Sequence, residues 1–154
     1  MATVYSVQKT AWDQTQPSKK IKPNESGGRI RVAYAIYTAS SLAAGSVIEM
    51  FNLPNGARVL EGTLTHDAMG GSTTLSVGHA AYNNADGTAV ALDADEFFAA
   101  AASTSITTVA VAATSALGRN SVLDADATGY PVTITMGGAA GTGTVELQMY
   151  YVVD

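Results

Sequence analysis

The two histidines of this chain are the side chains best placed for chemistry. His66 stands next to Asp67, and His79 follows thirteen residues later. Two imidazoles with a carboxylate could bind zinc or polarise a serine hydroxyl. Each histidine, however, ends a segment of alternating residues, and a hairpin would place the two at opposite ends of a strand pair. With no cysteine and no third histidine in the sequence, we predict neither catalysis nor metal binding here.

Acidic residues cluster twice, in "DADE" at 93–96 and "DADATGY" at 124–130. A calcium loop of the EF-hand type needs acids at alternating positions, a central glycine and a terminal bidentate glutamate, and neither segment has the full set. The pattern of Asp93 with Glu96 three residues later, and then Phe97, is typical of the start of a helix. It predicts a short helix with Asp93 as its N-cap. We interpret Asp124 and Asp126 as loop residues, and adventitious calcium binding stays open.

The glycines of "MGGAAGTGT" at 136–144 resemble a phosphate-binding loop. Such loops run from a strand into a helix and need a lysine or a ribose-binding acid in register. Here the glycines lie between two strand patterns, so we predict a hairpin turn. No enzyme signature remains, and we predict a protein that is not an enzyme and needs no cofactor.

Strand patterns follow one another from residue 29 to the end of the sequence. Alternating or β-branched runs lie at 30–36, 47–53, 59–66, 73–79, 104–112, 131–136 and 145–153. Turn residues separate them, as in Pro54–Asn55–Gly56, and no strand–helix–strand alternation is present. The sequence therefore predicts an all-β body over 29–154, an antiparallel β-sandwich or jelly roll with one short helix that begins at Asp93.

Composition adds a prediction about assembly. The chain has 154 residues, of which 47% are hydrophobic and only 14% charged, and it contains no apolar run near 18 residues. We expect a soluble protein without a membrane segment or a visible secretion signal. So few charges leave little for a solvated surface, which predicts that other copies or another protein cover part of it. A homotrimer is the assembly we expect.

Charge and pattern set the first 28 residues apart as an extended N-terminal arm. Residues 1–31 carry six cations and two acids, whereas residues 32–154 carry two cations and eleven acids. The cations are too dispersed for a typical nucleic-acid site, so we expect the arm to dock on an acidic protein surface, including that of a neighbouring copy. The predicted partner-binding residues are its apolar anchors and its lysines, namely Val4, Tyr5, Val7, Trp12, Lys19, Lys20 and Lys22.

Three segments of the body resemble a group of small structural proteins of tailed-bacteriophage virions. They are "LPNGARVLEGTLTHDAMGGSTTLSVGHA" at 53–80, "ALDADEFFAAA" at 91–101 and "ATGYPVTITMGGAAGTGTVELQMYYVVD" at 127–154. The resemblance implies a head decoration or cement protein, a trimeric β-sandwich on the outer surface of the capsid with the major capsid protein as its partner. It involves structural motifs only. A carbohydrate- or receptor-binding sandwich of a phage tail or other virion component is the alternative.

Overall fold

Two four-stranded antiparallel sheets pack face to face in the computed structural model, which describes residues 4–20, 22–23 and 25–153. The fold is mostly β, as the sequence predicts. Sheet I has the strand order β1-β10-β3-β8 and sheet II the order β2-β9-β4-β7. Sheet I contains β1 (Ile30–Leu42), β3 (Arg58–His66), β8 (Thr107–Val111) and β10 (Gly141–Val152). Sheet II contains β2 (Val47–Leu53), β4 (Thr74–His79), β7 (Asp93–Ala102) and β9 (Tyr130–Gly137). A small hairpin joins β5 (Tyr82–Asn83) to β6 (Ala89–Val90).

Consecutive long strands alternate between the two sheets, with the exception of β4 and β7, which pair within sheet II. This alternation is the connectivity of a jelly roll. It corrects two predicted hairpins, because β3 and β4 belong to different sheets, and so do β9 and β10. Both connections cross from one sheet to the other. A period-two pattern identifies a strand but not its partner, which is why the sequence alone suggested local pairing.

The core lies between the sheets and consists of the inward side chains of both. Its largest fully buried members include Phe97, Leu64, Ile134 and Leu147. Burial of each such side chain contributes about 1.5–3 kcal/mol. In β3 the alternation is interrupted, since the register shifts opposite Tyr150 and Tyr151 and brings Val59 to the buried side. The break is a β-bulge, which adds one residue to one strand of a pair.

The predicted helix at Asp93 is wrong, because Asp93–Ala102 forms strand β7. The Asp93 carboxylate accepts a hydrogen bond from the backbone of Asp95, 3.1 Å away, as in a turn. Strand β7 then pairs with β4 through Leu75, Val77 and His79. Pairing with a central strand and burial of Phe97 outweigh the local preference for a capped helix.

The short helix lies in the arm instead, as α1 (Val7–Trp12). The Ser6 hydroxyl caps it by accepting a hydrogen bond from the backbone N–H of Lys9, and Lys9 forms a 2.7 Å ion pair with Asp13. A 3-10 turn at Pro17–Lys19 follows. The arm is therefore locally folded where the sequence predicted an extended chain. Neither this helix nor any other in the described part is long and apolar enough to span a bilayer.

Candidate partner-binding site

The arm forms an open groove between its helix and the 3-10 turn that follows. The groove has a volume of about 380 Å³ and is lined by Tyr5, Val7, Thr10, Ala11, Gln14 and Lys19. Val7 and Ala11 stand four residues apart on α1, so their side chains share one face of the helix. The lining is mostly apolar, and Lys19 supplies a cation. We call this feature the arm groove.

The arm groove contains three of the seven predicted partner-binding residues, Tyr5, Val7 and Lys19. The other four, Val4, Trp12, Lys20 and Lys22, are exposed and do not line it. Trp12 in particular keeps 60% of its surface accessible. The sequence thus located the apolar content of the arm but could not tell which of its residues share a concave surface.

Glu25 connects the arm to the body. Its carboxylate lies 3.3 Å from the Arg58 guanidinium and accepts hydrogen bonds from the Lys22 backbone at 3.3 Å and the Gln8 side chain at 3.5 Å. These bonds, that of Lys22 foremost, and the charge of Arg58 lower the pKa of Glu25. The arm is therefore held at the end of the body where β1 begins and β3 starts.

A second apolar surface runs along β1, and the sequence analysis missed it as a candidate site. Ile30, Val32, Tyr34 and Ile36 alternate along the strand and point outward, each with 54% or more of its surface exposed. We call these four residues the β1 stripe. Their alternation was visible in the sequence, but period-two spacing cannot distinguish a core face from an exposed one.

The backbone edge of β1 beside this surface is also open. Among the strands that the structure describes, β1 pairs only with β10, so its other edge has no strand beside it. Exposed apolar edge strands are typical of surfaces that bind another chain. The β1 stripe therefore joins the arm groove as a second candidate partner-binding surface.

A carboxylate lies beside the β1 stripe. Glu146 stands on β10 opposite Ile36, and Tyr34 faces Gln148 one step along the same ladder. Partial desolvation raises the pKa of the Tyr34 hydroxyl, and the neighbouring Glu146 raises it further. The stripe is thus an apolar ridge with an acid at its side, whereas the arm groove is an apolar hollow with a cation at its side.

The two histidines do not form a site together. His66 ends β3 in sheet I and His79 ends β4 in sheet II, so both are strand ends, as predicted. Both are buried, and the Nδ1 of each lies within hydrogen-bond distance of the following carbonyl oxygen, that of Asp67 at 2.8 Å and that of Ala80 at 2.9 Å. Within residues 4–20, 22–23 and 25–153 no group of three or more His, Asp or Glu side chains is arranged to hold a metal ion.

The acids of the second cluster hold loops in place. Asp124 accepts a hydrogen bond from the backbone of Ala85 at 3.1 Å. Asp126 accepts one from the backbone of Thr128 at 2.8 Å, and the Thr128 hydroxyl and backbone together lower the pKa of Asp126. Aspartate side chains in loops commonly form such hydrogen bonds to nearby backbone groups.

Comparison with solved structures finds the same sandwich in chains of two phage particles. One chain comes from the capsid asymmetric unit of cyanophage Pam1, with 21% identity and a TM-score of 0.59. Another comes from the capsid of Ralstonia phage GP4, with 24% identity and a TM-score of 0.61. Each alignment covers 82% of this chain and 86% of the other. At these identities the likeness concerns the fold. No protein-family description and no curated protein sequence matches the chain.

Proposed function

We propose that this protein is a non-enzymatic decoration or cement protein of a phage head. In this role it binds the outer surface of the shell at junctions between major capsid subunits, as a homotrimer, and stabilises the expanded shell. The observation that carries the proposal is the jelly roll shared with chains of two phage capsids, and the arm groove and the β1 stripe are open apolar surfaces available for its assembly.

The physical basis of such a role is the sum of many weak contacts. A trimer that touches several shell subunits at once converts modest individual affinities into a strong overall attachment. If the protein binds the expanded shell and not its precursor, mass action stabilises the expanded state. An assembly role of this kind requires binding surfaces and no reacting groups. The two histidines are buried at the ends of β3 and β4, where each Nδ1 lies near a backbone carbonyl.

The character of the exposed surfaces favours a protein partner over a sugar. Carbohydrate sites usually present flat aromatic rings, whereas the β1 stripe is three aliphatic side chains and one tyrosine. Trp12, the one tryptophan of the chain, lies on the arm and not on the sandwich. The receptor-binding alternative therefore receives no specific support from these surfaces.

Electron microscopy of purified particles tests the proposal. We expect density for the sandwich on the outside of the head, at junctions of shell subunits. Purified protein added to heads that lack it should bind expanded heads and protect them from heat or chelation, and should leave unexpanded heads unbound. Density confined to the tail would refute the decoration role, and so would equal binding to both head forms.

A further inference from the structure

We propose that the arm groove of one copy binds the β1 stripe of a neighbouring copy. The inference goes beyond a role on the phage head, because it concerns contacts between copies of this chain and requires no shell. It names both halves of the contact, the arm groove lined by Tyr5, Val7 and Lys19 and the β1 stripe that includes Tyr34 and Ile36.

Neither the arm groove nor the β1 stripe is covered by other described residues of the same chain. The arm is held near the Arg58 end of the body through Glu25 and Gln8, and the β1 stripe stays exposed along its whole length. While the chain is alone, the apolar side chains of the arm groove and of the β1 stripe stay in contact with water. The free energy of burying them is then not gained. A contact between two copies buries both at once.

The two surfaces match in shape and in charge. The stripe presents the exposed side chain of Tyr34 between Val32 and Ile36, and the groove is an open hollow of about 380 Å³ with mostly apolar walls. Glu146 lies beside Tyr34, and Lys19 lies at the groove, so seating Tyr34 in the groove brings opposite charges together. The whole chain repeats this division, with six of its eight cations in residues 1–31 and eleven of its thirteen acids beyond them.

A second copy is the occupant that these observations favour. Ridge and groove come from different parts of the same chain, so every copy offers one of each. Contacts of this head-to-tail type are heterologous. When they close into a ring, the arm groove and the β1 stripe of every copy are both occupied. A shell protein would have to supply both a ridge for the groove and a groove for the ridge.

Cross-linking between two cysteine variants tests this contact, because the natural chain has no cysteine to interfere. Chains with Val7→Cys are mixed with chains with Ile36→Cys under mild oxidation. We expect a disulfide-linked pair that contains one chain of each kind. The matched control is Val47→Cys, an exposed position on β2 in the other sheet, which should cross-link poorly with Val7→Cys.

The remaining outcomes contradict the proposal in different ways. Linked pairs of two Ile36→Cys chains alone would mean that stripe binds stripe. Equal linkage at Val47 would mean random collision. A single chain that carries both Val7→Cys and Ile36→Cys and closes an internal disulfide would mean that each arm folds back on its own body.

A charge reversal provides an independent test in the wild-type background. Lys19→Glu and Glu146→Lys should each weaken self-association several-fold, measured by sedimentation across a concentration series, and the double variant should recover most of the loss. Lys20→Glu and Glu49→Lys reverse exposed charges outside the two surfaces and should change little. If the double variant associates no better than the single variants, Lys19 does not meet Glu146 and the proposed register is wrong.

Discussion

Glu96 is a glutamate whose surroundings disfavour its charged form. It is half-buried near the aromatic cluster of His79, Tyr82 and Tyr130, whose ring centres lie 4.8–5.1 Å apart. Burial raises the pKa of Glu96, the charge of Asp93 raises it further, and His79 opposes both. The folded protein therefore binds a proton at this carboxyl more readily than the unfolded chain does.

This shift predicts how Glu96→Gln changes stability with pH. A raised pKa in the fold gives a stabilisation that is complete below the ordinary glutamate pKa and is lost as pH rises through the raised value. At about pH 7 the wild type carries a poorly solvated charge that the variant lacks, so Glu96→Gln should raise the Tm there. At about pH 4, where the carboxyl binds its proton, the difference should shrink. Thermal melts at both pH values measure this.

Glu61→Gln is the matched control, because the Glu61 side chain is 63% exposed on the outer face of sheet I. It should leave the Tm nearly unchanged at both pH values. An equal gain for Glu96→Gln at pH 4 and pH 7 would mean that the effect comes from packing and not from the charge.

Gly78 is the glycine on which the pairing of β4 with β7 depends. A methyl group there would meet the backbone of Asp93, Ala94 and Asp95, which cannot move without breaking the sheet. We expect Gly78→Ala to destabilise the protein by about 1–3 kcal/mol or more, measured by denaturant unfolding. Gly71→Ala is the control, since a methyl group at Gly71 has open space around it. Similar stabilities for the two variants would contradict the close approach.

At the scale of the element, the sequence predicted where strands lie better than what they pair with. The pattern at 47–53 matches β2 residue for residue, and that at 59–66 covers β3 except for its first residue, Arg58. The 93–102 segment was misassigned because its capping signal is local, whereas the pairing that overrides it comes from β4. Long-range pairing and sheet membership leave no mark in a window of ten residues.

The candidate site shows the same limit. Tyr5, Val7 and Lys19 could be named from the composition of the arm, since apolar groups in a basic segment suggest docking. The β1 stripe could not, because Ile30, Val32 and Tyr34 carry the pattern of a core-facing strand. Only the orientation of β1 in sheet I, with these side chains outward, distinguishes the two cases.

Trp12 belongs to the arm but does not line the arm groove, so we expect it to contact the shell. A fully desolvated aromatic anchor typically contributes about 2 kcal/mol or more to an interface, whereas an exposed lysine pair contributes roughly 0–1 kcal/mol. Trp12→Ala should therefore weaken binding to expanded heads more than Lys20→Ala does. Binding of purified variants to heads, followed by pelleting, measures this.

Thermal stability is the control for that experiment, since Trp12 lies at the end of α1, keeps 60% of its surface exposed and is not a core residue. The thermal melt of Trp12→Ala should match that of the wild type. Deletion of residues 1–28 with full occupancy on expanded heads would show that the arm is not the anchor.

At the scale of the whole molecule, the division of charge predicts how association responds to salt. Apolar burial in the arm groove should dominate, and ion pairs at its edge should add a part that salt screens. We expect a trimer in sedimentation at micromolar concentration, weakened only partly as sodium chloride increases. Complete dissociation at moderate salt would mean that charge and not burial holds the copies together, and a monomer throughout would contradict the trimer.

The pairing of β1 with β10 has a consequence for how the chain folds during synthesis. Thr38 and Thr144, whose hydroxyls meet across this pair, are 106 residues apart in the sequence. β1 therefore leaves the ribosome long before its neighbour exists, with the backbone N–H and C=O groups on both of its edges unpaired. Chains interrupted before β10 would present an unpaired apolar strand on both edges, the kind of species that aggregates or recruits chaperones. Pairing with β10 is thus the step that covers one of these edges.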